Sequence, residues 1–152
     1  MEGAFSNILL VEDNPDHAEL IVMALREGGT SNYVCVVGDG FQALDFLYGR
    51  GVYKEKRGTL LPTLILLDIK LPKMDGLELL REIRKDPQFN AIPVIVLTTS
   101  SRPEDVAEAY AAGANSYVAK PARFQEFLDR IQRVEYYWTC VNVPPAYVGR
   151  TP

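Results

Sequence analysis

Asn7-Ile8-Leu9-Leu10-Val11-Glu12-Asp13 is an apolar run closed by two acids, and the construction recurs along the chain. Leu64-Ile65-Leu66-Leu67 ends in Asp68, Val94-Ile95-Val96-Leu97 in Thr98, and Ser116-Tyr117-Val118-Ala119 in Lys120-Pro121. Short apolar runs without alternation read as strands buried on both faces, which belong to a parallel sheet. In such a sheet, ligands and chemistry gather beyond the carboxyl ends of the strands. The pattern therefore brings Glu12, Asp13, Asp68, Thr98 and Lys120 together.

Helical patterns fill the gaps. Asp16 to Glu27 places Leu20, Ile21, Ala24 and Leu25 on one face, and Gly28-Gly29 stops it. Tyr33 to Val37 reads as the remaining strand, and Phe41 to Tyr48 as a short helix broken by Gly49 and Gly51. Gly76 to Lys85 carries Leu77, Leu80 and Ile83 at helical spacing, with Asp75 as its cap. Pro103 opens a helix that Gly113 closes, and Glu104 and Asp105 suit the dipole of its first turn. Phe124 to Trp138 shows an almost continuous apolar stripe. Five βα units in a row imply an open, doubly wound sheet with right-handed crossovers. Arg50 to Thr63 reads as a solvated surface loop.

Composition narrows the function. A chain of 152 residues fits one domain with a real core. Its net charge of −4 offers no basic field for nucleic acid. No apolar run approaches the ~20 residues of a membrane span, and no signal peptide is visible, so a cytoplasmic protein is expected. Cys35 and Cys140 are far apart and outside any CxxC pattern, which reads as two reduced thiols.

Adjacent acids after a strand can be a plain solvated loop. Here Asp68 closes another strand nearby, and carboxylates brought within a few ångströms repel one another unless a cation or a shifted pKa relieves them. Mg²⁺, which takes one or two carboxylates plus waters, is the natural relief. Asp68 is then the candidate nucleophile, since a carboxylate can accept a phosphoryl group as an acyl phosphate. Lys120 can neutralise a phosphoryl oxygen as a point charge, and Thr98 can donate a hydrogen bond to another. His17, the lone histidine, reads as a solvated surface residue at the start of a helix.

The stretches LLVEDNP (9–15), LLDIKLPKMDG (66–76), VIVLTTSS (94–101) and AAGANSYVAKP (111–121) resemble the receiver domains of two-component response regulators. The resemblance covers residue 7 to about 138. It implies a flavodoxin-like doubly wound fold, a five-stranded parallel sheet of order 2-1-3-4-5 with five helices. It also implies that Glu12 and Asp13 bind Mg²⁺ together with Asp68 and the Lys70 backbone carbonyl. Asp68 would be phosphorylated by a partner histidine kinase, with Thr98 and Lys120 on the phosphoryl group. Tyr117 would be the switch aromatic that turns with Thr98, and the Lys120–Pro121 bond is expected to be cis. Lys70 departs from the small or polar residue common at its place, and Ala122 from a common Phe. VEYYWTCVNVPP (134–145) resembles the ending of regulators paired with bacterial phytochrome kinases. The resemblance divides the chain into a receiver at 1–138 and an extension at 139–152, with output through a protein partner, dimerisation or relay rather than a turnover reaction.

Two other readings use similar residues. A haloacid-dehalogenase-like phosphatase needs an acid/base aspartate two residues after its nucleophile, where this chain has Lys70. A flavodoxin needs a phosphate cradle after its leading strand, where Glu12-Asp13-Asn14-Pro15-Asp16 would repel phosphate. A non-phosphorylated adaptor is the remaining alternative.

The C-terminal segment points to a homodimer. Tyr136 lies about 150° from the centre of the last helix's apolar stripe. Together with Trp138, Val141, Val143 and Tyr147 it forms a segment too apolar for a free tail. An arm packed on a second subunit is the expectation, and folding back over its own domain is the alternative.

Overall fold

Five strands pair side by side in a computed structural model that describes residues 6–28, 32–56 and 61–145. They are β1 (Ser6–Val11), β2 (Asn32–Val37), β3 (Leu64–Leu67), β4 (Val94–Thr98) and β5 (Ser116–Ala119). All neighbours are parallel, in the order β2-β1-β3-β4-β5 expected from the sequence. The helices between them are α1 (Pro15–Glu27), α2 (Gly40–Tyr48), α3 (Gly76–Lys85), α4 (Pro103–Ala112) and α5 (Phe124–Tyr136).

Side chains alternate across the sheet, so each strand feeds two cores. Leu9, Val11, Ile65, Leu67, Val94 and Val96 face one way and pack with Leu80 and Ile83 of α3 and Ala43 and Leu47 of α2. Ile8, Leu10, Leu64, Leu66, Ile95 and Leu97 face the other way and meet Ile21 and Leu25 of α1 and Phe127, Leu128 and Ile131 of α5. Burial on both faces explains why these strands are apolar without alternation. Each such Leu or Ile side chain contributes about 1.5–3 kcal/mol relative to exposure.

The helix ends refine the sequence reading. Helix α1 starts at Pro15, one residue before the expected Asp16, because the Asn14 carboxamide oxygen accepts from the amides of Asp16 (2.9 Å) and His17 (3.2 Å). Helix α2 likewise starts at Gly40, since Asp39 accepts from the Gln42 amide at 2.8 Å. The expected surface loop from Arg50 holds a 3₁₀ turn, Gly51–Lys56, with Tyr53 edge-on to Phe46 at 5.3 Å. The last helix does not run uniformly to Trp138. It widens after Tyr136 into a π-helical turn, Tyr137–Val141. The Lys120–Pro121 bond, expected to be cis, is trans; no cis peptide bond occurs among the described residues. An Xaa-Pro amide prefers trans by about 0.5–1 kcal/mol, and Lys120 reaches its partners with the trans bond.

Two contacts fix the loops around the sheet. A Cβ on Gly76 would lie 2.4 Å from the Asp68 carbonyl oxygen and 2.7 Å from the Ile69 Cα, so glycine lets α3 begin directly against that backbone. The Gly76 amide donates to the Ile69 carbonyl at 2.9 Å. At the opposite end of the sheet, the Arg84 guanidinium donates to the carbonyls of Gly113 (2.9 Å), Ile92 (2.9 Å) and Asn90 (3.1 Å) and to the Asn115 side-chain oxygen (2.6 Å).

Candidate functional site

The strand register decides which residues meet. Val11 is level with both Val37 and Leu67, and the ladder continues one step further. The Glu12 amide donates to the Val37 carbonyl and the Asp68 amide to the Val11 carbonyl, each at 3.0 Å. The acids that follow β1 and β3 therefore emerge side by side. One oxygen each from Glu12, Asp13 and Asp68 lie within 4.8 Å of one another.

The three carboxylates differ in setting. Asp13 is exposed and Asp68 half-buried, while Glu12 is buried. Both Glu12 oxygens are occupied: Oε1 accepts from Lys120 Nζ at 2.6 Å and Oε2 from the Asn14 amide at 3.2 Å. Burial pushes the Glu12 carboxyl above its usual range and the Asp68 charge adds to the rise, while the Lys120 hydrogen bond and charge pull it back. Asp68 Oδ1 accepts from the Lys70 amide at 3.2 Å, and Oδ2 lies 3.4 Å from Lys120 Nζ. Lys120 thus bridges two acids from a side chain only 4% exposed.

Oxygen donors of this kind, with two aspartates reachable from solvent, fit a hard divalent cation. Thr98 is 1% exposed, and its hydroxyl makes no hydrogen bond among the described residues. A buried hydroxyl at a strand end beside Asp68 is a donor waiting for an acceptor.

Tyr117 of β5 is half-buried and packs against the core on the α3 and α4 side of the sheet. Its hydroxyl donates to the Ser100 carbonyl at 2.9 Å, and the Ser100 hydroxyl donates to the Asp105 carboxylate at the start of α4. Burial pushes the Tyr117 phenol up. The loop after Thr98 is thereby tied both to β5 and to α4.

The sequence reading missed several members of this site. His17 is not a solvated surface residue: it is half-buried, with Nδ1 3.1 Å from Lys120 Nζ. The cause is the Asn14 cap, which starts α1 early and turns its third residue over the acids. Lys73 has a left-handed backbone (φ 67°) and reaches Asp39 at 3.6 Å, tying the loop after β3 to the first turn of α2. Neither pairing has a local signal, since the partners are 103 and 34 residues apart in the chain.

The proposed dimer residues are spread over two environments. Tyr136 is 60% exposed and Val143 88%, with Tyr137 and Val141 also open. Trp138 turns inward instead, against the core between α1 and α5, with Tyr137 edge-on at 5.2 Å. Tyr147 lies outside the described residues.

The response regulator receiver domain family matches residues 8–132. The probable methanogenesis regulatory protein FilR2 of Methanothrix harundinacea is 41% identical over 138 residues, 91% of this chain and 86% of that protein. Response regulator Rcp1 of Synechocystis is 36% identical over 140 residues, covering 91% and 93%. A solved structure of Rcp1 in its Mn²⁺-bound form has a TM-score of 0.83 over 93% of this chain and 99% of its own. The phosphorylated cyanobacterial phytochrome response regulator RcpA gives 0.85 at 36% identity, again covering 93% and 99%. Matched along nearly its whole length, with the acids, the hydroxyl and the lysine on the expected strand ends, the chain belongs to the response regulator receiver domain family.

Proposed function

We propose that this chain is the response regulator of a cytoplasmic phosphorelay, and that Asp68 accepts a phosphoryl group from a histidine kinase in a Mg²⁺-dependent reaction. The observation that carries the proposal is the cluster itself: two accessible aspartates, a buried lysine reaching one of them, and a buried hydroxyl without a partner among the described residues. An Asp68 oxygen would bond to phosphorus as the P–N bond of the donor phosphohistidine breaks, and the leaving imidazole nitrogen takes up a proton. Asp13, Asp68 and the Lys70 carbonyl would hold Mg²⁺, with Glu12 behind them as an anchor because both its oxygens are already engaged. Mg²⁺ supplies charge neutralisation on the phosphoryl oxygens. Lys120 carries positive charge to one further oxygen, and Thr98 offers its hydroxyl to another.

The acid/base aspartate that a haloacid-dehalogenase-like phosphatase carries two residues after its nucleophile is replaced here by Lys70, which argues against steady hydrolysis. Mixed with Mg²⁺ and acetyl phosphate, the chain is expected to gain one labile phosphate per molecule without continuing turnover. Continuous phosphate release at enzyme rates would indicate a phosphatase, and no uptake with or without Mg²⁺ would indicate an adaptor. Either result sinks the proposal.

A phytochrome kinase as the partner is supported by the similarity to RcpA, a phytochrome regulator in its own right. The bond from Tyr117 to the loop after Thr98 supports a switch that runs from Thr98 to α4, because a phosphoryl group that draws Thr98 must move that loop.

A homodimer through residues 139–152 accounts for the exposed Tyr136, Val141 and Val143. Deleting 139–152 is expected to turn a dimer into a monomer in sedimentation while leaving phosphate uptake intact. A truncated chain that stays dimeric, or a full-length chain that is monomeric at high concentration, removes the arm.

A further inference from the structure

We propose that His17 is a positioning residue for Lys120, with its Nδ1 accepting one ammonium proton so that the ammonium is held aimed at Asp68. An ammonium has three N–H donors and no acceptor. At Lys120 the three have three partners: Glu12 Oε1 at 2.6 Å, His17 Nδ1 at 3.1 Å and Asp68 Oδ2 at 3.4 Å. Because lysine can only donate, His17 Nδ1 is the acceptor, and the ring proton sits on Nε2. The 4.0 Å separation between Nδ1 and Glu12 Oε2 is then a packing distance and not an ion pair.

The geometry divides the three bonds by task. Glu12, directly after β1, and His17, in the first turn of α1, grip the ammonium from two anchored segments. The remaining proton points to Asp68, where the contact is longest and a phosphoryl oxygen would arrive. A lysine on four rotatable bonds carries roughly 2 kcal/mol of rotamer entropy, so two fixed acceptors on one side prepare it for the third. Catalysis by charge is effective when the charge is already in place before reaction. Without His17, one proton of a nearly buried ammonium has no acceptor, and the group turns to find one.

The inference rests on Asp68 as the phosphoacceptor for its rate consequence, but not for its structural one. Three proteins decide it: the wild type, His17→Leu and His17→Asn. Asparagine puts a carboxamide oxygen near the place of Nδ1, whereas leucine has no acceptor. Leucine is nevertheless the better helix former, so a purely structural role at this position would favour it over asparagine. With acetyl phosphate and Mg²⁺, phosphorylation of His17→Leu is expected to slow by about fivefold, the loss of one charge-assisted hydrogen bond only partly replaced by water. His17→Asn is expected to recover most of the rate. The Lys120 ¹⁵N-ammonium resonance, read without phosphate, should be present in the wild type and His17→Asn and exchange-broadened in His17→Leu. Equal ammonium signals in all three proteins, or equal rate losses in both variants, would overturn the inference. If even the wild type takes no phosphate, Asp68 as acceptor fails, and the ammonium spectra still decide the role of His17.

Discussion

Asp68→Asn is expected to take up no phosphate from acetyl phosphate or a kinase, and to do so without loss of stability. The amide oxygen carries no charge and is a poor nucleophile, so no acyl phosphate forms. The local geometry survives. An asparagine oxygen still accepts from the Lys70 amide, and Lys120 keeps its 2.6 Å bond to Glu12. One negative charge leaves a cluster of three, which relieves part of the push on the Glu12 carboxyl. Intact-mass measurement after incubation should show no added phosphate, and the melting temperature in Mg²⁺-free buffer should be no lower than that of the wild type. A variant that is still labelled, above all on His17, would refute the assignment. A variant that loses label because it unfolds would leave the mass result meaningless, which is why the melt is measured alongside.

Lys120→Met carries the largest expected effect on stability. It removes the counter-charge of Glu12, whose side chain is 1% exposed, and breaking one side of a buried pair costs about 3 kcal/mol. The loss depends on pH in a definite direction. Burial already raises the Glu12 pKa above its ordinary 4.5, and losing Lys120 raises it further. A carboxyl whose pKa is higher in the folded than in the unfolded chain favours folding when protonated, and that contribution is lost as pH rises through the folded value. The gap between wild type and Lys120→Met should therefore be small near pH 5 and widen toward pH 8. Urea unfolding at both pH values reads it. A gap independent of pH would show that Glu12 is not the group left exposed to the loss.

The sequence made the sheet legible because its strands are buried on both faces. Runs such as Leu64 to Leu67 have no polar position to blur them, and each ends at a charged or hydroxyl residue. The convergence of Asp13, Asp68, Thr98 and Lys120 follows from strand order alone. What did not follow was the side-chain pairing across the site. His17 looks solvated in the chain because nothing near it reveals Lys120, and the Asn14 cap that aims it looks like part of a loop. Lys73 and Asp39 pair for the same non-local reason. Trp138 belongs both to the apolar stripe of the last helix and to the set expected at the dimer surface, and the fold decides for the stripe: at about 100° per residue it lies nearly level with Ile131, and its ring packs on the core. Thr98 stands out in the sequence by its position alone, and its depth of burial is read only from the fold.

Arg84 gives the molecule a mechanical polarity. Its four acceptors are three carbonyls and a carboxamide, none of them an anion, so neither salt nor mild acid loosens the knot. They sit in the turns that lead into β4 and β5. These last two strands are thus clamped at their amino roots, like beams fixed in a wall, while their far ends carry the site. A push applied at those far ends, where Thr98 and Lys120 stand, meets a fixed base, and the bonds of Tyr117 and Asp105 to Ser100 hand it on to α4.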